Sequence, residues 1–240
     1  MNSPLLLSCE HASNMIPGQY LCLGIAPQIL GSHIAWDLGA RYITRQLTRH
    51  LHCTSFIAKY SRLLIDLNRS THHTRLIPAV SFGVPIPGNT GLTPVQKRER
   101  LRRYYLPYRS AVFTTIRARI ATAGKCLHCS VHSFTPVVDG YERRADIGLL
   151  YDPQRRWEAQ VVAILADTLR TKGLQVRRNY PYRGTSDGLT TACRRLFPTM
   201  QYCGLEIEIN QRLLVHERTK RRLARCLIDG IMQVLPTTEN

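Results

Sequence analysis

Alternating short apolar strands and amphipathic helices predict a three-layer α/β/α protein on a mostly parallel, mixed sheet. Two further observations agree. Groups able to bind metal or move protons fall just after predicted strands, where open α/β sheets bind ligands. The chain's 240 residues, 44% of them hydrophobic, suffice to bury one sizeable core. No internal repeat, low-complexity tract or linker interrupts the pattern, so residues 1–240 are expected to form a single domain.

The first strand is Leu5-Leu6-Leu7-Ser8, and it runs straight into Cys9, Glu10 and His11. A core has no use for such costly groups, whereas a site at the carboxyl end of a strand does. Ile34, Leu38, Ile43, Leu47 and Leu51 recur at helical spacing and predict an amphipathic helix over 33–51. Residues 53–58 (CTSFIA) read as a strand and 63–68 (LLIDLN) as a further extended piece. Thr, Pro, Gly and His fill 69–92 without periodicity, which predicts a long loop of the kind that carries function. His72 and His73 stand in it, with a site role and a surface role both open.

Thr93-Pro94 starts a helix, with proline at the first helical position. It is expected to run to about Ala123, interrupted near Pro107 and closed by Gly124. "KCLHCSV" and "DIGLLY" follow as strands. Asp152-Pro153 caps a helix whose apolar positions are Trp157, Val161, Ile164, Leu165 and Leu169, and Gly173 ends it. "LQVRRN" and "CGLEIEI" are strands, and a final helix covers 217–234.

Composition limits the function classes. No apolar run approaches the ~20 residues that span a bilayer. The start lacks the charged n-region and long h-region of a signal peptide, because Glu10 and His11 interrupt it. The eight cysteines are scattered, and Cys126 with Cys129 makes a solitary C-x-x-C. That argues against a disulfide framework and against a zinc knuckle, and it makes a reducing cytoplasm the expected compartment. The formal charge of +17, mostly arginine, suits nucleic acid, an anionic surface or small acidic substrates. Much of it lies in "QKRERLRRYY" and "ERTKRRLARC", each read as a solvated helix face.

Functional side chains should follow strands, and three do: His11, His132 in "VHSFTP", and Glu208 in "LEIEIN". His33 stands at the start of the first predicted helix, with Asp37 one turn later on the same face. Structural readings compete. Glu206 and Glu208 alternate with Leu205, Ile207 and Ile209 as on the exposed face of an edge strand, and Asp37 could serve the helix dipole. Taken together the set suits metal chemistry. Catalytic zinc takes three protein ligands and leaves a position for water, whose pKa it lowers towards 7. His11, His33 and His132 can supply that shell, and Glu208 the base. No H-E-x-x-H, G-x-S-x-G or P-loop is present, and no triad spacing supports Ser133 as a nucleophile.

The strings "SCEHASNMIP", "HIAWDLGA", "YSRLLIDLNR", "VHSFTPV", "RRADIGLLYD", "NYPYRG" and "IEINQRLL", in that order, resemble the motifs of the N-formylglutamate amidohydrolase family over about residues 3–217. The resemblance implies the fold of the zinc carboxypeptidases and muramoyl-alanine amidases (phosphorylase/hydrolase-like). The implied reaction cleaves N-formyl-L-glutamate to formate and glutamate, a late step in one route of histidine breakdown. By motif, His11 and His132 match two histidines expected at one Zn2+, and Glu208 falls where the group keeps its general acid/base. Muramoyl amidases place a Glu at the start of their first helix, four residues before an Asn-Leu pair. His33 stands four residues before Asp37-Leu38, so the third ligand is assigned to His33, with Asp37 and Glu10 in reserve.

Formylglutamate carries two carboxylates, which arginine clamps bidentately. Arg62, Arg69 and Arg143 match family arginines near the site, and Asn68, Asn210, Tyr182 and Arg183 could orient the amide or a carboxylate. The chain departs from the family's frequent Arg-Pro-Trp at Arg143-Arg144-Ala145, and a histidine many relatives carry after the Thr190-Thr191 pair is absent. Zinc-dependent cleavage of a small acidic N-acyl amino acid is therefore the leading expectation. A non-catalytic polyanion binder and an amidase for another γ-linked or cell-wall amide are the alternatives. Nucleic acid is the less expected partner, and no membrane is expected.

Overall fold

A computed structural model describes residues 3–235. Its sheet comprises β1 (Leu5–Cys9), β2 (Thr54–Ile57), β3 (Cys126–Phe134), β4 (Ile147–Leu150), β5 (Val176–Arg178) and β6 (Tyr202–Asn210). Their spatial order is β2-β1-β3-β6-β4-β5, and all neighbours are parallel except β6 and β4. This is the expected mixed, mostly parallel sheet. β3 and β6 occupy its middle and are buried along their whole length. Glu206 and Glu208 therefore do not lie on an exposed edge; the alternating pattern that suggested one belongs to a central strand with carboxylates turned into the protein.

Residues on one strand point alternately to the two faces. Leu5 and Leu7 accordingly join the larger core with Leu47, Leu165, Leu227 and Ile231, while Leu6 joins the smaller one with Val112, Ile116 and Leu189. The larger core is covered by α1 (Ala40–Leu51), α4 (Arg156–Thr171) and α6 (Glu217–Val234). The other face carries α3 (Leu106–Ala123) and α5 (Leu189–Leu196), and α2 (Pro94–Arg100) leads into α3. Among the described residues no helix is long and apolar enough to cross a membrane.

Most predicted elements are present, with instructive differences. The helix expected over 33–51 begins only at Ala40, because Gly39 takes φ 80° and a Cβ there would stand 2.8 Å from the Leu214 side chain. Ile34 and Leu38 keep their apolar role in the turns before it. "LLIDLN" is not a strand: its leucines and isoleucine are buried, but in turns, and the Asp66 amide donates to the Leu76 carbonyl. Thr93 and Gln96 form a capping box at the start of α2. The interruption near Pro107 is a π turn over Leu101–Tyr105, which accommodates a residue with no N–H to give and a ring that crowds the preceding turn. "QKRERLRRYY" is only partly solvated, since Arg100 is buried and donates to Asn89 and to the Leu64 carbonyl. Asp152 does not cap α4 itself; it accepts from the Gln154 amide in the turn ahead of Arg156. Helix α5 was not anticipated, because its Thr- and Arg-rich sequence has too few apolar positions to set a period. All eight cysteines are free thiols.

One buried polar chain ties three strands together. Ser8 on β1 bonds His128 Nε2 at 2.8 Å, and His128 Nδ1 bonds the Tyr202 hydroxyl at 2.8 Å. Burial lowers the His128 pKa from 6.5 to about 4. In the unfolded chain this group protonates near its ordinary value, so the stability it contributes is complete above pH ~6.5 and is lost as pH falls towards 4. The loss should approach about 3 kcal/mol. Urea unfolding at pH 7 and pH 4.5 should show a smaller difference for His128→Gln than for the parent. Equal differences would remove His128 as a cause of acid sensitivity.

Candidate active site

Loops at the carboxyl edge of the sheet bring the site together. β1 ends at Cys9 and delivers Glu10 and His11, while β3 carries His132 and β6 carries Glu208 directly opposite it. The turn before α1 supplies Asp37, whose amide donates to the His11 carbonyl at 2.9 Å. The turns after β2 supply Arg62, Asp66, Asn68 and Arg69. Gly148 on β4 lets the segment bearing Tyr182 and Arg183 cross close above the sheet, since a Cβ there would lie 1.6 Å from the Tyr180 carbonyl oxygen.

His11, Asp37 and His132 form the one group of ligand atoms, among the described residues, that could hold a metal: all lie within 4.8 Å of one another, and all are buried. Asp37 Oδ2 is 2.9 Å from His132 Nδ1 and 3.4 Å from His11 Nδ1. The far nitrogen of each imidazole is fixed by a buried carboxylate. His11 Nε2 lies 2.7 Å from Asp66, and His132 Nε2 lies 3.0 Å from Glu10. Glu10 is itself held by the hydroxyls of Ser130 and Tyr108. Such carboxylate–histidine pairs fix ring orientation and tautomer at metal sites. With Nε2 donating to Asp66, His11 Nδ1 keeps a lone pair, and that buried atom has no hydrogen-bond partner. A cation bound between Nδ1 of the two histidines and Asp37 would satisfy it, so these residues fit a metal.

The electrostatics agree. Burial would raise the Asp37 and Asp66 carboxyls, yet the histidines, with Arg62 beside Asp66, hold both well below the usual carboxylate range. Burial likewise opposes ionisation of Glu10, but hydrogen bonds from His132 and Ser130 leave its pKa at about 2. Three ionised carboxylates therefore converge where positive charge is wanted. Against desolvation, Asp37 and Glu10 push His132 well above its ordinary value. Glu208 differs. Burial dominates there and raises its pKa to about 7, and its Oε2 has no partner. An unpaired carboxyl that titrates near neutral pH beside the cluster is poised to exchange a proton.

Asp37, and not His33, belongs to the group of converging ligand atoms. His33 lies in the turns before α1, with its ring packed on Phe82 at 5.1 Å, and it is outside the ligand group. The expected spacing relied on a helix that starts later. His33 still lines the cavity over the cluster, which encloses about 700 Å³. Arg62, Asn68, Arg69, Arg143, Tyr182, Arg183 and Glu208 line it too. Arg62 is less free than a substrate clamp needs to be, because it spans Asp37 at 3.4 Å and Asp66 at 3.3 Å. Arg143 lies over the rings of Phe134 and Tyr182. Asn210 is not in the cavity. It is buried, donates to the Arg143 and Ala145 carbonyls, and so tethers the segment carrying Arg143. His72 and His73 are not among the lining residues. Sequence reasoning missed Asp66; its signal was an aspartate inside the apolar run Leu63-Leu64-Ile65-Asp66-Leu67, where only a paired carboxylate is tolerated.

The fold is that of the zinc-carboxypeptidase and muramoyl-amidase group. An N-acetylmuramoyl-L-alanine amidase from Clostridium difficile superposes with a TM-score of 0.51 at 9% identity, over 99% of this chain and 100% of that one. The chain belongs to the N-formylglutamate amidohydrolase family, whose sequence model matches residues 3–215, and it is an amidohydrolase. A gene product of Agrobacterium tumefaciens is similar at 32% identity and a TM-score of 0.86, over 99% of this chain and 92% of that one. An N-formylglutamate amidohydrolase from Ralstonia eutropha is similar at 21% identity and a TM-score of 0.75, over 97% and 93% of the two chains. No match is found among curated protein sequences.

The ligand geometry makes a direct prediction. Asp37→Ala should abolish retention of zinc, measured by elemental analysis after desalting, whereas His33→Ala should keep it. Asp66→Asn should weaken zinc affinity about 10- to 100-fold in chelator competition. The reverse order at positions 33 and 37 would restore His33 as the ligand.

Proposed function

We propose that the protein hydrolyses the amide of a small acidic N-acyl amino acid, with N-formyl-L-glutamate as the first compound to test. Zinc would be held by His11, Asp37 and His132. The observation that carries the reading is the meeting of their ligand atoms around an unpartnered His11 Nδ1, beside the unpartnered Glu208 Oε2. When bound, the ion supplies Lewis acidity, lowering the pKa of water and polarising a carbonyl.

The remaining chemistry belongs to the side chains. Glu208 acts as general base and then acid: it takes a proton from water and returns it to the amide nitrogen. The water oxygen joins the carbonyl carbon, the C–N bond breaks, and a carboxylic acid and an amine leave. With formylglutamate these are formate and glutamate. Glu10 and Asp66 keep the two imidazoles aimed, and Arg62 steadies Asp37 and Asp66. The substrate carboxylates fall to Arg69, Arg143 and Arg183, of which Arg143 is braced by Phe134 and Tyr182. The free thiols suit a reducing cytoplasm.

Glu208→Gln should lower kcat about 10²- to 10⁴-fold while the zinc content stays that of the parent. Glu208 works as a base only when ionised, so kcat/KM should fall on the acid side. Burial places the carboxyl at about 7, and a nearby cation would lower it, so the acid limb should lie at or below pH ~7. A chelator should abolish turnover and added zinc should restore it. Full activity in Glu208→Gln, or activity indifferent to the chelator, would refute the mechanism.

A further inference from the structure

Formylglutamate leaves much of the cavity unused. A formyl group is a single carbon, whereas a cavity of about 700 Å³ is of the size that takes drug-like ligands. Its lining is chemically divided. Beside β4, Arg143, Arg183 and Tyr182 offer positive charge and hydrogen bonds. Elsewhere in the lining His33 stacks edge to face on Phe82, whose hairpin also carries Val80. His33 is near enough to Asp37 and Arg62 for their charges to act on it, and all three line the cavity with Phe82, so this apolar corner adjoins the candidate metal ligands.

The hairpin Val80–Ser81/Val84–Pro85 is an unusual place for these side chains. Val80 is 54% and Phe82 55% exposed, although large apolar groups normally gain by burial. Phe82 also holds φ 49° at the turn, followed by Gly83 at φ 75°. That left-handed pair is normally given to Asn-Gly or Asp-Gly, and a bulky aromatic there is strained. A ring carried at such a cost, outside the core and against the cavity, needs a reason outside folding. A second hairpin, Val137–Val138/Tyr141–Glu142, contributes Val138 to the lining.

We infer that this site is shaped for N-acyl amino acids whose acyl group is an apolar chain of several carbons, seated against His33, Phe82 and Val80. The acidic amino acid lies at the Arg143 and Arg183 end, and the scissile amide lies between the two over His11, Asp37 and His132. The inference rests on the amidohydrolase reading above and changes its preferred substrate from formyl to longer acyl groups. Bond making and breaking are unchanged: water adds to the acyl carbon, the nitrogen takes a proton, and a fatty acid replaces formate.

The test is kcat/KM of the zinc-loaded protein for formyl-, acetyl-, butanoyl- and hexanoyl-L-glutamate. The expected result is a rise of about fourfold per buried methylene along the series. The hexanoyl-to-formyl ratio should fall about tenfold in Phe82→Ala and move the same way in Val80→Ser. Both positions are exposed, so neither change threatens the fold. A preference for formyl, or a ratio that neither variant moves, would overturn the inference and leave the amidohydrolase reading standing. Failure to cleave any of the four would overturn both.

Discussion

Everything at this site depends on keeping three carboxylates ionised where water is scarce. Glu10, Asp37 and Asp66 are buried, and a buried carboxylate is tolerated only with positive charge or strong donors close by. Two imidazoles and one guanidinium supply that need, and they do so in a fixed pattern: Asp66 on His11, Glu10 on His132, Asp37 between both, and Arg62 across Asp37 and Asp66. Because each carboxylate restrains an imidazole, the orientation of the ligands follows from the same contacts that keep the charges stable. The rings cannot turn without leaving a carboxylate unpaired, and that penalty fixes where their free nitrogens point.

The sheet explains why this cluster and Glu208 meet. β1, β3 and β6 run parallel as neighbours, so their carboxyl ends form one edge of the molecule. The register puts Glu208 opposite His132 without any loop having to reach across. β4 runs antiparallel beside β6, so the segment with Arg143 that precedes it lies at the same edge, and the segment with Tyr182 and Arg183 crosses over Gly148 to reach it. Strands thus carry His132 and Glu208, while the segments between elements carry His11, Asp37 and the arginines that line the cavity.

The arginines separate into kinds that composition cannot distinguish. Arg100, Arg109, Arg155 and Arg194 are buried and spend their donors on backbone carbonyls and on Asn89 or Glu158, so they serve folding. Arg62 serves the ligand carboxylates, and Arg69, Arg143 and Arg183 face the cavity. Arg218, Arg221, Arg222 and Arg225 on α6 remain exposed, as a solvated helix face should. The charge of +17 is the sum of these separate uses and does not measure any single partner.

The strand–helix alternation, the capping box at Thr93, the break near Pro107 and the family motifs were all readable in the sequence, because each rests on local chemistry or on residue order. His11, His132 and Glu208 were readable for a related reason: polar groups at the ends of apolar strands are too costly to be there without use. The choice between His33 and Asp37 was not. It turns on where α1 starts, and that is decided by Gly39 meeting Leu214, a residue far along the chain. Asn210 belongs with that choice: it tethers the Arg143 segment and stays out of the cavity, and a buried amide is defined by the partner it finds. Local sequence determined the elements and the kind of chemistry; only tertiary packing decided which donors share a point in space, because burial and pairing energies depend on neighbours the sequence does not place side by side.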